Sequence, residues 1–138
     1  MLEVNSREEL LAMFRKAGKN KYHAQKVHYA GFVFDSRMEA ARYVQLRDME
    51  RKKEIRELQV HVPFVVWESK LKTKVIKYVP DFVYERNMLT IIEDVKGDET
   101  DVFKMKAKMF KDKYPKYEFT LVKLDSKTVN VLLAAIGA

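Results

Sequence analysis

Val79-Pro80-Asp81-Phe82-Val83-Tyr84 and, after the polar turn Glu85-Arg86-Asn87, Met88-Leu89-Thr90-Ile91-Ile92-Glu93-Asp94-Val95-Lys96-Gly97 decide how this chain is built. β-Branched and aromatic residues dominate both arms, which is the composition of strands. Side chains alternate along a strand, so Asp94 and Lys96 are expected on one face and Glu93 and Val95 on the other. Ile91 and Ile92 put apolar side chains on both faces, as a central strand requires. If the two arms pair as a hairpin, Asp81 reaches the same edge of the sheet as Asp94. Two neighbouring carboxylates suit a hard divalent cation. Such a cation polarises a phosphate and acidifies a water, and the ammonium of Lys96 can steady the attacking water or the charge of the transition state. That is the chemistry of phosphodiester hydrolysis.

Outward from this stretch, the pattern predicts three consecutive strands, Val60 to Trp67, Val75 to Tyr84 and Met88 to Val95, separated by polar turns at 68–73 and 85–87. Ser36 with Glu39 forms a capping box that opens a helix with Met38, Ala41, Val44 and Leu46 or Met49 toward a core, ending in the charged stretch Glu50 to Glu54. An earlier capping box, Ser6 with Glu9, predicts a helix from about 6 to 17 that Gly18 stops, and Val27 to Phe34, broken at Ala30-Gly31, reads as a small hairpin. Downstream, Asp101 to Lys113 has helical spacing and ends at Pro115; Tyr117 to Leu124 reads as a strand, and Ser126 is expected to cap a last helix to about Ile136. The apolar tail Val129 to Ile136 fits either a core helix or a contact between subunits. The expected class is α/β, a mixed central sheet with flanking helices whose last strand joins in parallel after a crossover helix.

At 138 residues the chain suits one domain spanning 1–138. Its hydrophobic content of 47% contains no long uncharged run, and the start MLEVNSREEL lacks a signal-peptide layout, so a soluble cytoplasmic protein without a membrane partner is expected. With no cysteine, disulfides, thiolate zinc sites and cysteine nucleophiles are excluded. His23, His28 and His61 show no metal-binding spacing, so a histidine metal site is not expected. The 27 Lys+Arg against 20 Asp+Glu leave a net charge of +7, which favours a polyanionic partner such as DNA. Lys104, Lys108 and Lys111 share a helix face opposite Val102, Met105 and Met109, and can track phosphates or simply be solvated. Lys19, Lys21, Tyr22 and Lys26, in a basic connector, can hold backbone in the same way.

Pro80-Asp81 followed by Asp94-Val95-Lys96 resembles the signature of the PD-(D/E)XK nuclease superfamily, a Pro-Asp and then an acid and a lysine one residue apart on the next strand. The resemblance implies a restriction-endonuclease-like core of helix, three strands, helix and strand over about residues 36–124, with the first helix and small hairpin added before it. It also implies a catalytic set of Glu39, Asp81, Asp94 and Lys96. Mg2+ or Mn2+ would be held by Asp81, Asp94, Glu39 and the Val95 backbone carbonyl, and no organic cofactor is implied. Glu39 has a second reading as the partner of Ser36 in their helix cap. Ser36 and Gln59 are expected beside the site, Gln59 to orient a site residue or water or as an ordinary polar strand residue. Gly31-Phe32-Val33-Phe34-Asp35-Ser36-Arg37-Met38-Glu39-Ala40, with the Pro-Asp-Phe and Glu-Asp-Val-Lys-Gly stretches, is similar to a phage-encoded subgroup related to archaeal-type Holliday junction resolvases. This implies a homodimer that cuts branched DNA, in the host cytoplasm if phage-encoded. The alternatives are a sequence- or end-specific duplex nuclease of the same superfamily, a catalytically silent DNA-binding module, or a basic assembly protein.

Overall fold

The computed structural model describes residues 25–138. The expected helix at 6–17 and the connector residues Lys19, Lys21 and Tyr22 lie outside the described residues. Val27–Tyr29 (β1) and Phe32–Phe34 (β2) pair as a hairpin, with Ala30 and Gly31 both at positive φ (54° and 83°). Two consecutive positive φ values match the twist of a tight hairpin, and Gly31 supplies the second without a Cβ penalty. Ser36 then caps Arg37–Arg51 (α1), its hydroxyl accepting the Glu39 N–H at 3.0 Å. Five strands follow: Arg56–Val60 (β3), Phe64–Glu68 (β4), Val75–Tyr78 (β5), Phe82–Arg86 (β6) and Leu89–Val95 (β7). Asp101–Lys113 (α2), Glu118–Val122 (β8) and Ser126–Ala135 (α3) complete the order.

The main sheet has the order β3-β6-β7-β8, antiparallel except for the parallel pair β7 and β8, and β4 and β5 form a separate two-stranded sheet. The protein is therefore mixed α/β, with the last strand in parallel as its crossover helix requires. Two of the expected long strands are each divided. Val60 to Trp67 breaks at His61–Pro63, where His61 has φ 57° and Pro63 has no N–H to donate; Val75 to Tyr84 breaks around Pro80 for the same reason. β4 and β5 can then leave the main sheet and pair with each other.

A helix layer lies on each face of that sheet. Phe82, Tyr84, Ile91 and Val95 face α1 and α3, packing with Phe34, Ala40, Ala41, Tyr43, Leu46, Val129 and Leu133. Val83 and Ile92 face the other way, toward Phe103, Ala107 and Phe110 of α2 and Val66, Ile76 and Tyr78 of the β4–β5 hairpin. Val129 and Leu133 make α3 a core helix, capped by Asp125 rather than Ser126, with Asp125 Oδ1 accepting the Thr128 N–H at 2.7 Å. In α1, Ala41 and Leu46 are buried and Met38 and Met49 pack against the core as expected, with Ala40 and Tyr43 buried beside them, while Val44 is only half-buried and lies outside that cluster. Among the described residues, no helix is long and apolar enough to cross a membrane.

Glu93 is fully buried on the α1 face of β7 and receives Arg42 Nε and NH2, both at 2.8 Å, and the Tyr84 hydroxyl at 2.7 Å. Removing one partner of such a pair strands a charge, whereas replacing both by apolar groups is often neutral. Arg42→Ala should therefore lower stability by about 3–5 kcal/mol, and Arg42→Met with Glu93→Leu should recover most of it, as read by urea denaturation. A double variant no more stable than Arg42→Ala would show that the pair itself holds the layers together.

Candidate active site

Six polar residues, Asp81, Asp94, Tyr78, Lys96, Glu39 and His61, converge where β7 ends. Asp81 stands at the break before β6, and its Oδ2 accepts the Val95 N–H at 2.7 Å, so the carboxylate closes the β6–β7 hairpin through a backbone bond. Asp94 lies on the α2 face of β7, opposite Glu93 as strand alternation requires, and its carboxylate accepts the Tyr78 hydroxyl and neighbours that of Asp81. Lys96 shares that face. Its ammonium lies 3.8 Å from Asp94 Oδ1 and 4.7 Å from the centre of the Phe103 ring, while its backbone N–H joins the sheet through Val122 O at 3.0 Å. Glu39 enters from the first turn of α1, and its carboxylate meets His61 Nε2 at 2.6 Å and lies within hydrogen-bonding reach of Asp81.

His61 is the residue that sequence reasoning missed. It follows β3 at φ 57°, a left-handed conformation that histidine adopts more readily than most residues, and its N–H donates to Asp81 O at 3.2 Å. Its ring packs against Phe34 and points at Glu39. No local spacing could reveal this, because Glu39 and His61 are brought together only by α1 docking on the sheet. The one available signal was a polar residue just ahead of Val62-Pro63, where a strand is bound to break. Glu39, His61 and Asp81 each offer one ligand atom, all within 4.8 Å of one another, so a divalent cation fits this donor set.

Three carboxyls here have raised pKa values. Burial is the main cause for each: Glu39 and Asp81 are pushed up to about 7 and Asp94 to about 8. Repulsion adds to it, from Asp35 and Asp94 on Glu39, from Glu39 on Asp81, and from Asp81 on Asp94. Lys96 opposes the shift at Asp81 and Asp94. Burial, and next Asp94, also hold the Tyr78 hydroxyl far above the usual phenol range, so it stays a donor. The cluster is short of positive charge at neutral pH.

The remaining expected residues divide by position. Ser36 caps α1 through its hydroxyl, and the Glu39 carboxyl serves both readings, engaging His61 and also taking a backbone hydrogen bond at Asp35 just ahead of the cap. Gln59 is exposed on β3, and Lys26 is exposed just before β1. Lys104, Lys108 and Lys111 are exposed and line a groove of about 270 Å³ with Phe103 and Phe119. Lys106 is the half-buried lysine of α2; burial first, and then the charge of Lys96, lowers its pKa. The buried face of α2 is Phe103, Ala107 and Phe110, with Met105 and Met109 only partly covered.

A buried acid cluster at one end of a mixed sheet defines the class of architecture. Residues 19–128 match the family described as "Protein of unknown function (DUF1064)", and the chain belongs to that family. No curated protein matches the chain in sequence.

The raised carboxyl pKa values set a sign for stability. A folded state that holds its protons more tightly than the unfolded chain, whose carboxyls titrate near pH 4, has this contribution in full at low pH and loses it as pH rises toward 7 to 8. In chelator, the melting temperature should fall from pH 5 to pH 8. Asp81→Asn keeps an acceptor for the Val95 N–H, so it should melt higher than the parent at pH 8, with the difference vanishing by pH 5. A difference that does not vary with pH would contradict the shared protonation of these acids.

Proposed function

We propose that this protein is a metal-dependent DNA endonuclease of the PD-(D/E)XK type, acting on branched DNA such as a Holliday junction. The observation that carries the reading is the meeting of Asp81, Asp94, Lys96 and Glu39 at one end of the sheet. The order α1, β3, β6, β7, α2, β8 supports a restriction-endonuclease-like core. Asp81, Asp94, Glu39 and the Val95 carbonyl would hold Mg2+ or Mn2+, since the raised carboxyl pKa values describe acids short of a cation. When bound, the cation supplies Lewis-acid charge neutralisation at the scissile phosphate and acidifies a water.

The protein's own groups do the rest. Lys96 is fastened at its backbone to β8 and flanked by Asp94 and Phe103, so its ammonium stays at the mouth of the site, where negative charge grows on the phosphoryl oxygens. The backbone bond from Val95 to Asp81 aims that carboxylate, and Tyr78 aims Asp94. The groove of Lys104, Lys108 and Lys111 offers phosphate contacts that hold the duplex in register without reading bases. The net charge of +7 supports a DNA partner, and two symmetric incisions call for a homodimer.

A labelled four-way junction and a linear duplex of equal length, each with Mg2+, Mn2+ or chelator, test the proposal. Metal-dependent cutting of the junction is expected, with Lys96→Ala slower by roughly 10²–10³-fold, the scale of losing one preorganised electrostatic group. Equal cutting of the duplex would remove the branched substrate and keep the nuclease, and sequence-specific cutting would favour a restriction-type enzyme. Tight DNA binding with no cutting under any metal would make it a binding module.

The phosphate track makes a separate statement about binding. Alanine at Lys104 and Lys111 should weaken binding equally across sequences and reduce the slope of log affinity against log salt by about one for each phosphate no longer neutralised. An unchanged slope would place the DNA elsewhere.

A further inference from the structure

We infer that His61 is a nitrogen ligand which makes the Glu39 side of the cluster a mixed nitrogen and oxygen site, selecting Mn2+ over Mg2+. The inference rests on the proposed divalent-cation reading and deepens it, because the nuclease signature is all oxygen plus lysine and contains no imidazole. Asp81 sits between two different neighbours. On one side is Asp94, an all-oxygen pairing; on the other are Glu39 and His61, which with Asp81 present three ligand atoms within 4.8 Å. Donor atoms held at about 2.1 Å from one cation lie roughly 3–4 Å apart, so the three side chains would close around an ion by about 1 Å.

Three features argue that His61 is built for the position. Its ring nitrogen Nε2 is the atom turned to the acids, at 2.6 Å from Glu39 Oε1. Its backbone holds a left-handed φ of 57°, and strain of this kind persists only where surrounding structure enforces it, often at functional sites. The His61 N–H is bonded to the Asp81 carbonyl at 3.2 Å, so the imidazole and the central carboxylate are positioned by one backbone link. Phe34 covers one side of the ring, while the side chain keeps 32% of its surface open, leaving an approach for an ion.

Ligand chemistry then sets the preference. Mg2+ is small and hard, dehydrates reluctantly and favours oxygen, whereas transition cations accept imidazole readily. A nitrogen donor therefore adds affinity for Mn2+ and little for Mg2+.

Calorimetric titration of MnCl2 and of MgCl2 into the full chain, together with pulsed electron paramagnetic resonance of the Mn2+-loaded protein, tests this directly. The unsubstituted protein should bind Mn2+ at least about tenfold more tightly than Mg2+, and His61→Asn should erase most of that margin, a loss on the scale of removing a group that supports a metal. Histidine nitrogen coupling to Mn2+ should be present in the parent and in His28→Asn and absent in His61→Asn. The resonance measurement on the parent needs no variant, so it stands even if His61→Asn fails to fold. Mn2+ bound through Asp81 with no nitrogen coupling, or with affinity unaffected by His61→Asn, would overturn the role of His61 and leave the nuclease reading in place. Failure of the parent to bind either cation would overturn both.

Discussion

β7 is sealed on both faces and still carries two consecutive acids, Glu93 and Asp94, each almost wholly buried. Alternation sends them into opposite layers, so each must be satisfied by what its own layer provides. The α1 layer provides Arg42 in a two-pronged pair, and Tyr84 as a further donor, which leaves Glu93 compensated in charge and in hydrogen bonds. The α2 layer provides Tyr78, which is neutral, and Lys96, which is half in solvent and 3.8 Å away. Asp94 therefore has its hydrogen bonds but lacks a close buried countercharge. One strand thus holds a settled acid and an unsettled one, side by side, and the settled one helps fix the position of the other.

The unsettled acid is surrounded by the irregular parts of the fold. The first turn of α1 brings Glu39, the break after β3 brings His61, and the break before β6 brings Asp81. Pro63 and Pro80 explain why the strands stop there, since neither can donate to a ladder. Each interruption frees a polar side chain from the sheet's alternation and lets it turn toward the end of β7. Regular structure supplies rigidity here and its interruptions supply the polar cluster, as expected where local consistency is given up.

What could be read from the sequence follows this division. Alternation through Ile91 to Lys96 is a local signal, and it placed Asp94 and Lys96 together and Glu93 apart. The bounds of α2 were equally legible, because helical spacing and a terminal proline act within a few residues. The strands around Pro63 and Pro80 read as continuous, because β-branched composition is the same on both sides of each break and only tertiary pairing shows that β4 and β5 leave the main sheet. In α2 the helical spacing through Met105, Met109 and Phe110 does face the core, with Phe110 fully buried, but Phe103 and Ala107 rather than Val102 complete that face. His61 was illegible for a deeper reason: its partners come from α1 and from the break before β6, so no window of sequence contains the site.

Three crowded acids at neutral pH oppose folding, and the rest of the molecule must offset them. Two apolar cores, one on each face of the sheet, hold β6 and β7 in register whatever the charge at their end. The bond from the Val95 N–H to Asp81 is the point where register and charge meet, because the backbone donor stabilises the ionised carboxylate that burial and Glu39 disfavour. Asp81 is therefore both a structural clasp of the hairpin and the shared member of the acid cluster. On the proposed reading these roles reinforce each other: a cation that favours ionised acids also favours the charged form of the clasp, so binding would add to the stability of the folded state.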